Sequence, residues 1–145
     1  MKNLWQVRRA RAEDVKTIHF FLDQLETKNN NIKIFTEIYL YNIIQTHVIY
    51  LVAESDSEVI GFISCHGQLL LHHLGCVFEI QEFFVLDTYR SKGIGAILLA
   101  ELENILKQKE IVSFEVTAQN KRLQTHQFYL KNGFTQSHLK FTKLV

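Results

Sequence analysis

The segment from Glu79 to Ala96 carries the residue types best suited to chemistry in this 145-residue chain. An apolar, strand-like run ends at Val85, and Arg90-Ser91-Lys92-Gly93-Ile94-Gly95-Ala96 then leads into a helical pattern. The two glycines allow backbone dihedrals and close approaches that a side chain would block. Because a helix opens with free N–H groups and a positive dipole, this turn and its two cationic side chains predict a binding site for a phosphate-like anion.

Two other phosphate-binding motifs are excluded by their spacing. A dinucleotide fold needs G-x-G-x-x-G and a P-loop needs G-x-x-x-x-G-K-[ST], and neither pattern occurs around Gly93. A helix opened by glycine is also a common structural turn, so this element alone leaves the function open.

The elements that must position this segment are predicted from hydrophobic periodicity. Their order is β-α-α-β-β-β-α-β-α-β, which indicates a mixed α/β arrangement around one sheet. The predicted helices cover about 12–25, 32–45, 93–109 and 121–130. The predicted strands cover 5–8, 47–53, 58–64, 77–86 and 111–117, with a closing strand or pair over 134–144 and a hairpin turn at 55–57.

Composition excludes several classes of protein. With 47% hydrophobic and 21% charged residues, we expect a single globular domain over 1–145. Sixteen basic residues against fifteen acidic ones give a net charge of +1, which argues against nucleic acid or a membrane surface as a partner. No apolar stretch reaches 18 residues and Met1–Leu4 show no signal-peptide core, so we expect a cytoplasmic protein. Cys65 and Cys76 are expected to be buried thiols.

Two motifs resemble those of the GCN5-related N-acetyltransferases (GNAT). Arg90–Gly95 fits Q/R-x-x-G-x-G/A, and Phe128–Phe134 is similar to F-Y-x-x-x-G-F. The resemblance implies a mixed, mainly antiparallel sheet of six to seven strands flanked by about four helices. It also implies acetyl-CoA as cosubstrate. The residues that it assigns to acetyl-CoA binding are Phe83, Phe84, Val85, Arg90, Ser91, Lys92, Gly93, Ile94, Gly95 and Ala96.

A narrower resemblance runs from end to end and is most specific in the central and C-terminal parts. Leu71–His73, Glu79–Glu82, Gln136–His138 and Phe141–Lys143 are similar to the aminoalkylphosphonate N-acetyltransferases. The resemblance implies acetyl transfer to the primary amine of a small aminophosphonate, helped by a divalent metal. Members of the family commonly form homodimers, so this is an expected assembly here.

Acetylation of an amine requires a proton acceptor and a proton donor. An ammonium of pKa near 10 is only about one part in a thousand neutral at pH 7. Glu79 interrupts an apolar strand and, in the resemblance, lies where many family members place the base, acting through water; the alternative is a solvent-facing glutamate. Tyr129 is the candidate acid for the leaving thiolate, and its alternative is a core aromatic. Glu82 differs from Glu79 in strand parity, so we expect it on the opposite face in a structural role.

Histidines are the candidate metal or phosphonate ligands. As neighbours on a strand, His72 and His73 point to opposite faces and seldom chelate one ion together. One of them with Glu79 or His138 would suit a divalent metal or a phosphonate, and the alternative for each is an ordinary polar histidine. Lys140 adds positive charge beside His138.

The sequence departs from the family at two places. The family often has an asparagine near the start of the last helix, whereas the aligned positions here hold Gln119 and Arg122, with Asn120 one place away. Ser91 stands where a glycine is common. The sequence therefore does not decide which residue near Gln119 would make the polar contact to the cofactor.

Three functions remain open at this point. The first is the aminoalkylphosphonate N-acetyltransferase. The second is the same chemistry on a polyamine, an amino sugar or a protein amine, and the third is a non-catalytic acyl-CoA-binding domain. We expect the Thr27–Asn31 loop and the second predicted helix to shape the acceptor pocket. An acidic lining of this pocket would favour a cationic acceptor, and a basic lining would favour a phosphonate.

Overall fold

The computed structural model describes residues 5–145, so the prediction for Met1–Leu4 lies outside the described residues. The predicted order of elements is confirmed through the last helix. In chain order the elements are β1 (Gln6–Arg9), α1 (Val15–Glu26), α2 (Ile32–Ile43), β2 (Val48–Ser55), β3 (Glu58–Leu70), β4 (Gly75–Val85), α3 (Ile94–Lys107), β5 (Ile111–Val116) and α4 (Leu123–Lys131). No helix in this part of the chain is both long and apolar enough to cross a bilayer.

The sheet has five strands in the order β1-β2-β3-β4-β5 within residues 5–145. The first four pair antiparallel, and β5 runs parallel to β4. The mixed, mainly antiparallel sheet is confirmed, with one or two strands fewer than expected. At the predicted hairpin, Asp56 and Ser57 both have positive φ, as a type I′ turn requires.

The predicted closing strand over 134–144 does not form. Phe134 turns back onto Tyr129 and Phe114, with ring centroids 5.4 and 5.2 Å apart. Beyond it the chain is exposed, and Phe141 is 87% exposed. Alternating residues form a strand only where a neighbouring strand takes up their hydrogen bonds, and no ladder joins this segment to β5.

Helices cover both faces of the sheet. On one face, α3 packs Leu98, Leu102 and Leu106, four residues apart on one side of the helix, against the sheet. On the other face, α1 and α2 pack a second apolar cluster that includes Phe21 and Tyr39. We call these the α3 face and the α1/α2 face.

A β-bulge interrupts β4. Ile63 of β3 pairs with Phe83, whereas Cys65, two residues later on β3, pairs with Ile80, three residues earlier on β4. The extra residue in β4 inverts the alternation of its side chains. As a result, Ile80 and Phe83 both pack with the α3-face cluster although they are three residues apart.

A buried ion pair ties the start of α1 to the sheet. Arg8 on β1 donates to both carboxylate oxygens of Asp14 at 2.8 and 3.0 Å, and its Nε donates to Glu54 at 2.9 Å. The carboxylate of Asp14 also accepts from the backbone N–H of Arg11 at 2.7 Å. These bonds fix the position at which α1 begins.

Candidate active site

Strands β4 and β5 separate partway along their length. Their parallel pairing ends at Ile80 and Val116, while β4 continues to Val85. The edge of β4 that faces β5 is therefore open beyond Ile80, and we call this opening the slot. Open backbone groups of this kind bind an extended ligand as a further strand would bind.

The start of α3 provides a close approach to the slot. A Cβ at Gly95 would lie 3.6 Å from the ring of Phe83 and 3.7 Å from that of Phe128. The two rings meet edge to face with centroids 5.7 Å apart. The missing side chain of Gly95 thus leaves space beside two aromatic rings.

The turn before α3 has the conformation that an anion site needs. Gly93 has φ +83° and Ser91 has φ +62°, which bends the chain sharply ahead of the helix. The first helical hydrogen bond runs from Ile97 N–H to Gly93 C=O at 3.1 Å. The N–H groups of the three residues at 94–96 therefore precede the helical ladder and point out of the N-terminus.

The two cations of this turn are placed differently. Arg90 is anchored, because its Nε donates to the carbonyl of Val85 at 2.9 Å and its guanidinium lies 2.6 Å from Asp87. The same group lies 5.5 Å from the ring centre of Phe84, whose own side chain is buried on the α1/α2 face. Lys92 is exposed, with its Nζ 5.4 Å from the ring centre of Tyr89, and is the more accessible cation.

Tyr129 extends from α4 into the α3-face cluster. It is 8% exposed, and burial raises its pKa to about 12, an effect that the charge of Arg122 opposes. Its hydroxyl is therefore protonated throughout the neutral range, as a proton donor must be.

Arg122 links the start of α4 to the end of α1. Its Nη2 donates to the carbonyl of Leu25 at 3.1 Å, across 97 residues of sequence. The carbonyl of Gln119 accepts from the N–H of Arg122 and from Nε2 of His126, while Asn120 is exposed. A guanidinium therefore lies near the acid candidate, at a position where the family often has an asparagine.

The two glutamates of β4 lie on one face, which corrects the parity argument. Glu79 pairs with His66 of β3, and the hydroxyl of Ser64, two residues before His66, donates to Glu82 at 2.7 Å. Ser64 and His66 both point to the α1/α2 face. Ser64 pairs with Tyr50, whose side chain packs in the cluster on that face, and His66 is two residues further along the same strand. The bulge between the two glutamates is the physical reason.

The surroundings of the two carboxylates differ. Glu79 is half-buried between His66 and Glu115 on the neighbouring strands, and its Oε1 accepts from Gln81 at 3.1 Å. Burial raises the pKa of Glu82; the hydrogen bond from Ser64 opposes this effect and the charge of Glu26 adds to it.

The histidine candidates do not assemble into a metal site. His72 and His73 lie in a 3-10 turn rather than on a strand, and their ring centroids are 4.3 Å apart. His73 approaches Glu115 at 3.7 Å, and exposed His138 lies 2.6 Å from the hydroxyl of its neighbour Ser137. No group of three histidine, cysteine or carboxylate side chains that could hold a metal ion occurs in residues 5–145.

Ser64 was missed by the sequence reasoning. It is fully buried, and its hydroxyl accepts from the N–H of Glu82 while donating to the carboxylate of the same residue. A polar residue within the apolar run at 59–65 was the available signal. Cys65 beside it is a buried thiol, as predicted, and burial raises its pKa to about 12.

Comparison with known proteins agrees with this geometry. Residues 46–136 match the acetyltransferase (GNAT) domain family. The aminoalkylphosphonate N-acetyltransferase of Salmonella typhimurium is 35% identical over 138 residues, which cover 95% of this chain and 90% of that protein. The chain belongs to the GNAT family and is an N-acetyltransferase, a class whose acetyl donor is acetyl-CoA.

Two further proteins are similar to this chain. The spermidine N(1)-acetyltransferase of Thermoplasma acidophilum is 32% identical over 87 residues, covering 60% of this chain and 50% of that protein. The structure of aminoglycoside N-acetyltransferase AAC(6')-Iy in complex with CoA superimposes with a TM-score of 0.85 at 14% identity, covering 97% of this chain and 94% of the other. The second comparison supports the fold alone.

Proposed function

We propose that this protein transfers the acetyl group of acetyl-CoA to the primary amine of a small aminoalkylphosphonate. The observation that carries the acceptor assignment is the similarity to the Salmonella typhimurium enzyme over 95% of the chain. The Leu71–His73 turn, the Glu79–Glu82 segment and the C-terminal stretch around His138 supply the local resemblance. A cytoplasmic location, a homodimeric assembly and a single domain over 1–145 accompany this proposal as predictions.

The slot is the proposed donor site. The open edge of β4 at Phe83–Val85 would hold the pantetheine arm by backbone hydrogen bonds. The amides at 94–96, the turn Arg90–Gly93 and the exposed ammonium of Lys92 would hold the diphosphate. When bound, acetyl-CoA supplies the acetyl thioester, and the space beside Gly95 supports this fit.

Two side chains are proposed to move protons. Glu79, half-buried on the α1/α2 face, takes a proton from the acceptor ammonium through a water molecule. Tyr129 gives a proton to the departing thiolate, and its buried, protonated hydroxyl supports that role. Each such group contributes about 10²–10⁴-fold to the rate in enzymes.

A cationic acceptor such as a polyamine is the second candidate. The carboxylates of Glu79 and Glu82 share the α1/α2 face, and Glu26 at the end of α1 lies close enough to raise the pKa of Glu82. Negative charge at this position favours a positively charged acceptor. A zwitterionic aminophosphonate also presents an ammonium to these groups, so its phosphonate would need a cation such as Arg122.

Thiol release from acetyl-CoA with a panel of amines tests both candidates. We expect aminomethyl- or aminoethylphosphonate to give the highest kcat/KM, and Glu79→Gln to lower kcat by about 10²-fold while acetyl-CoA still binds. Half-buried Glu103→Gln on α3 is the matched control and should match the wild type. A preference for spermidine would move the assignment to the second candidate. Absence of thiol release with every amine would refute the proposed reaction.

A further inference from the structure

We infer that Glu82 binds the acceptor ammonium beside Glu79, with Ser64 as its positioning residue. The inference rests on the proposed function and adds the residue that selects a positively charged acceptor. It assigns Glu79 and Glu82 different tasks, since Glu82 holds the ammonium while Glu79 removes the proton.

The first support is the location of Glu82 at the bulge. The residue lies just beyond Ile80, where β5 leaves β4 and the slot begins. Without the bulge, strand alternation would place Glu82 on the α3 face, away from Glu79. With it, both carboxylates lie on the α1/α2 face, where the proposal places the acceptor.

The second support is the hydrogen bonding of Ser64. Its hydroxyl accepts from the N–H of Glu82 at 2.9 Å, so its own proton is directed to the carboxylate at 2.7 Å. A donated hydrogen bond favours the ionised carboxylate. Within residues 5–145 Glu82 has no other side-chain hydrogen bond, so its second oxygen is available to a ligand.

The third support is the charge around Glu82. Burial disfavours its negative form, and the facing groups are Glu26 from α1, Tyr50 from β2, and Glu79 on its own strand beside His66 from β3. None of these supplies a cation, because burial lowers the pKa of His66 and keeps it neutral at pH 7. A half-buried carboxylate without a cationic partner binds an incoming ammonium more strongly than an exposed one does.

Steady-state kinetics of Glu82→Gln, compared with Glu79→Gln, tests the assignment. We expect Glu82→Gln to raise the acceptor KM about tenfold or more with a small change in kcat, since a charge-assisted hydrogen bond is lost. Glu79→Gln should act on kcat instead. Glu103→Gln is again the control for loss of one negative charge. An unchanged acceptor KM in Glu82→Gln would overturn the inference.

The pH dependence of Ser64→Ala provides a readout that a purely structural role would not move. Without the donated hydrogen bond the pKa of Glu82 rises, so the acidic limb of kcat/KM should shift to higher pH, with activity recovered at alkaline pH. Carbon-13 NMR titration of the glutamate carboxyls should show the same upward shift without any turnover. Ser113→Ala removes the equivalent serine–glutamate bond to Glu115 and should leave both readouts unchanged.

The two hypotheses fail in different ways. If no amine is acetylated, the proposed function fails, while the NMR titration of Glu82 still reports on its environment. If acetylation occurs but Ser64→Ala leaves both the acidic limb and the carboxyl titration in place, the role of Ser64 and Glu82 is refuted.

Discussion

Individual side chains at this site owe their chemistry to burial. Tyr129 lies among the rings of Phe128 and Phe134, with centroid separations of 5.5 and 5.4 Å, and Arg122 supplies the charge that opposes the effect of burial on its pKa. Glu82 is half-buried on the other face, where its ionised form is disfavoured. Burial thus favours the protonated form of both groups, which suits a proton donor at Tyr129. At Glu82 the hydrogen bond from Ser64 opposes the effect of burial, and an ammonium bound beside it would further favour the carboxylate.

Tyr129→Phe should lower kcat by about 10²-fold without loss of acetyl-CoA binding, since only the hydroxyl is removed. A general acid must be protonated, and activity is lost as pH rises through its pKa. Because the pKa of Tyr129 is raised to about 12, the wild type should show no basic limb from this group between pH 7 and about pH 10. Initial rates measured between pH 7 and about pH 10 test this expected pH dependence.

Tyr41→Phe on the exposed side of α2 is the matched control and should leave the rate unchanged. A basic limb near pH 8 or 9 that disappears in Tyr129→Phe would contradict the high pKa. An unchanged kcat in Tyr129→Phe would contradict its role as the acid.

At the scale of elements, the two glycines at the start of α3 have different roles. A methyl group at Gly95 would make only ordinary contacts with Phe83 and Phe128, at 3.6 and 3.7 Å. Gly93 differs, because its φ of +83° disfavours any L side chain. The fold therefore does not require a glycine at Gly95, which supports the proposed donor site beside it.

Gly95→Ala should fold with equal or higher stability, because alanine in a helix is favoured over glycine by about 0.5–1 kcal/mol. The same methyl group would occupy the space beside the slot, so the Kd for acetyl-CoA should rise about tenfold or more, equivalent to roughly 1.4 kcal/mol. Calorimetric titration and thermal unfolding measure the two effects. Ala100→Ser, on the exposed side of α3, controls for a change in the helix. Unchanged affinity in Gly95→Ala would place the donor elsewhere.

For the molecule as a whole, the Arg8–Asp14 pair connects the sheet to the layer formed by α1 and α2. Asp14 is 5% exposed. Burial by itself would raise the pKa of this carboxyl, but the bonds from Arg8 and from the N–H of Arg11 hold it below its usual value. The end of α1 contacts Arg122 and lies near Glu82, so we expect this anchor also to maintain the proposed acceptor side of the slot.

Asp14→Asn should reduce the free energy of unfolding by about 1.5–3 kcal/mol, because it removes the charge-assisted hydrogen bonds between Arg8 and a buried carboxylate and leaves Arg8 paired with Glu54. A depressed carboxyl pKa stabilises the fold above the unfolded-state pKa of about 3.9, and the effect is lost as pH falls through the folded-state pKa. Urea unfolding at pH 7 and near pH 3 should therefore show a smaller difference between variant and wild type at the lower pH.

Glu13→Gln provides the comparison for this pair. Its carboxylate lies 4.0 Å from Arg11 at an exposed position, and such pairs contribute about 0–1 kcal/mol. Equal destabilisation by the two substitutions would show that burial of Asp14 is not the source of its effect.

Local patterns in the sequence predicted most of the element order and the glycine turn before α3. Helical periodicity and turn residues depend on neighbours within a few positions, so they can be read from the chain itself. The prediction of a closing strand over 134–144 was wrong, because a strand forms only where a neighbouring strand elsewhere in the chain pairs with it. The prediction for His72 and His73 failed for a related reason: a 3-10 turn, not a strand, joins β3 to β4.

The amino-acid sequence by itself determined the class of chemistry, because the motifs around Gly93 and Tyr129 are contiguous. Only the tertiary structure decided which carboxylates lie together. The register of β3 against β4 introduces one extra residue, and this inverts the alternation and moves Glu82 to the face of Glu79. Registers follow from packing across the whole sheet, so strand parity counted along a single segment cannot give them.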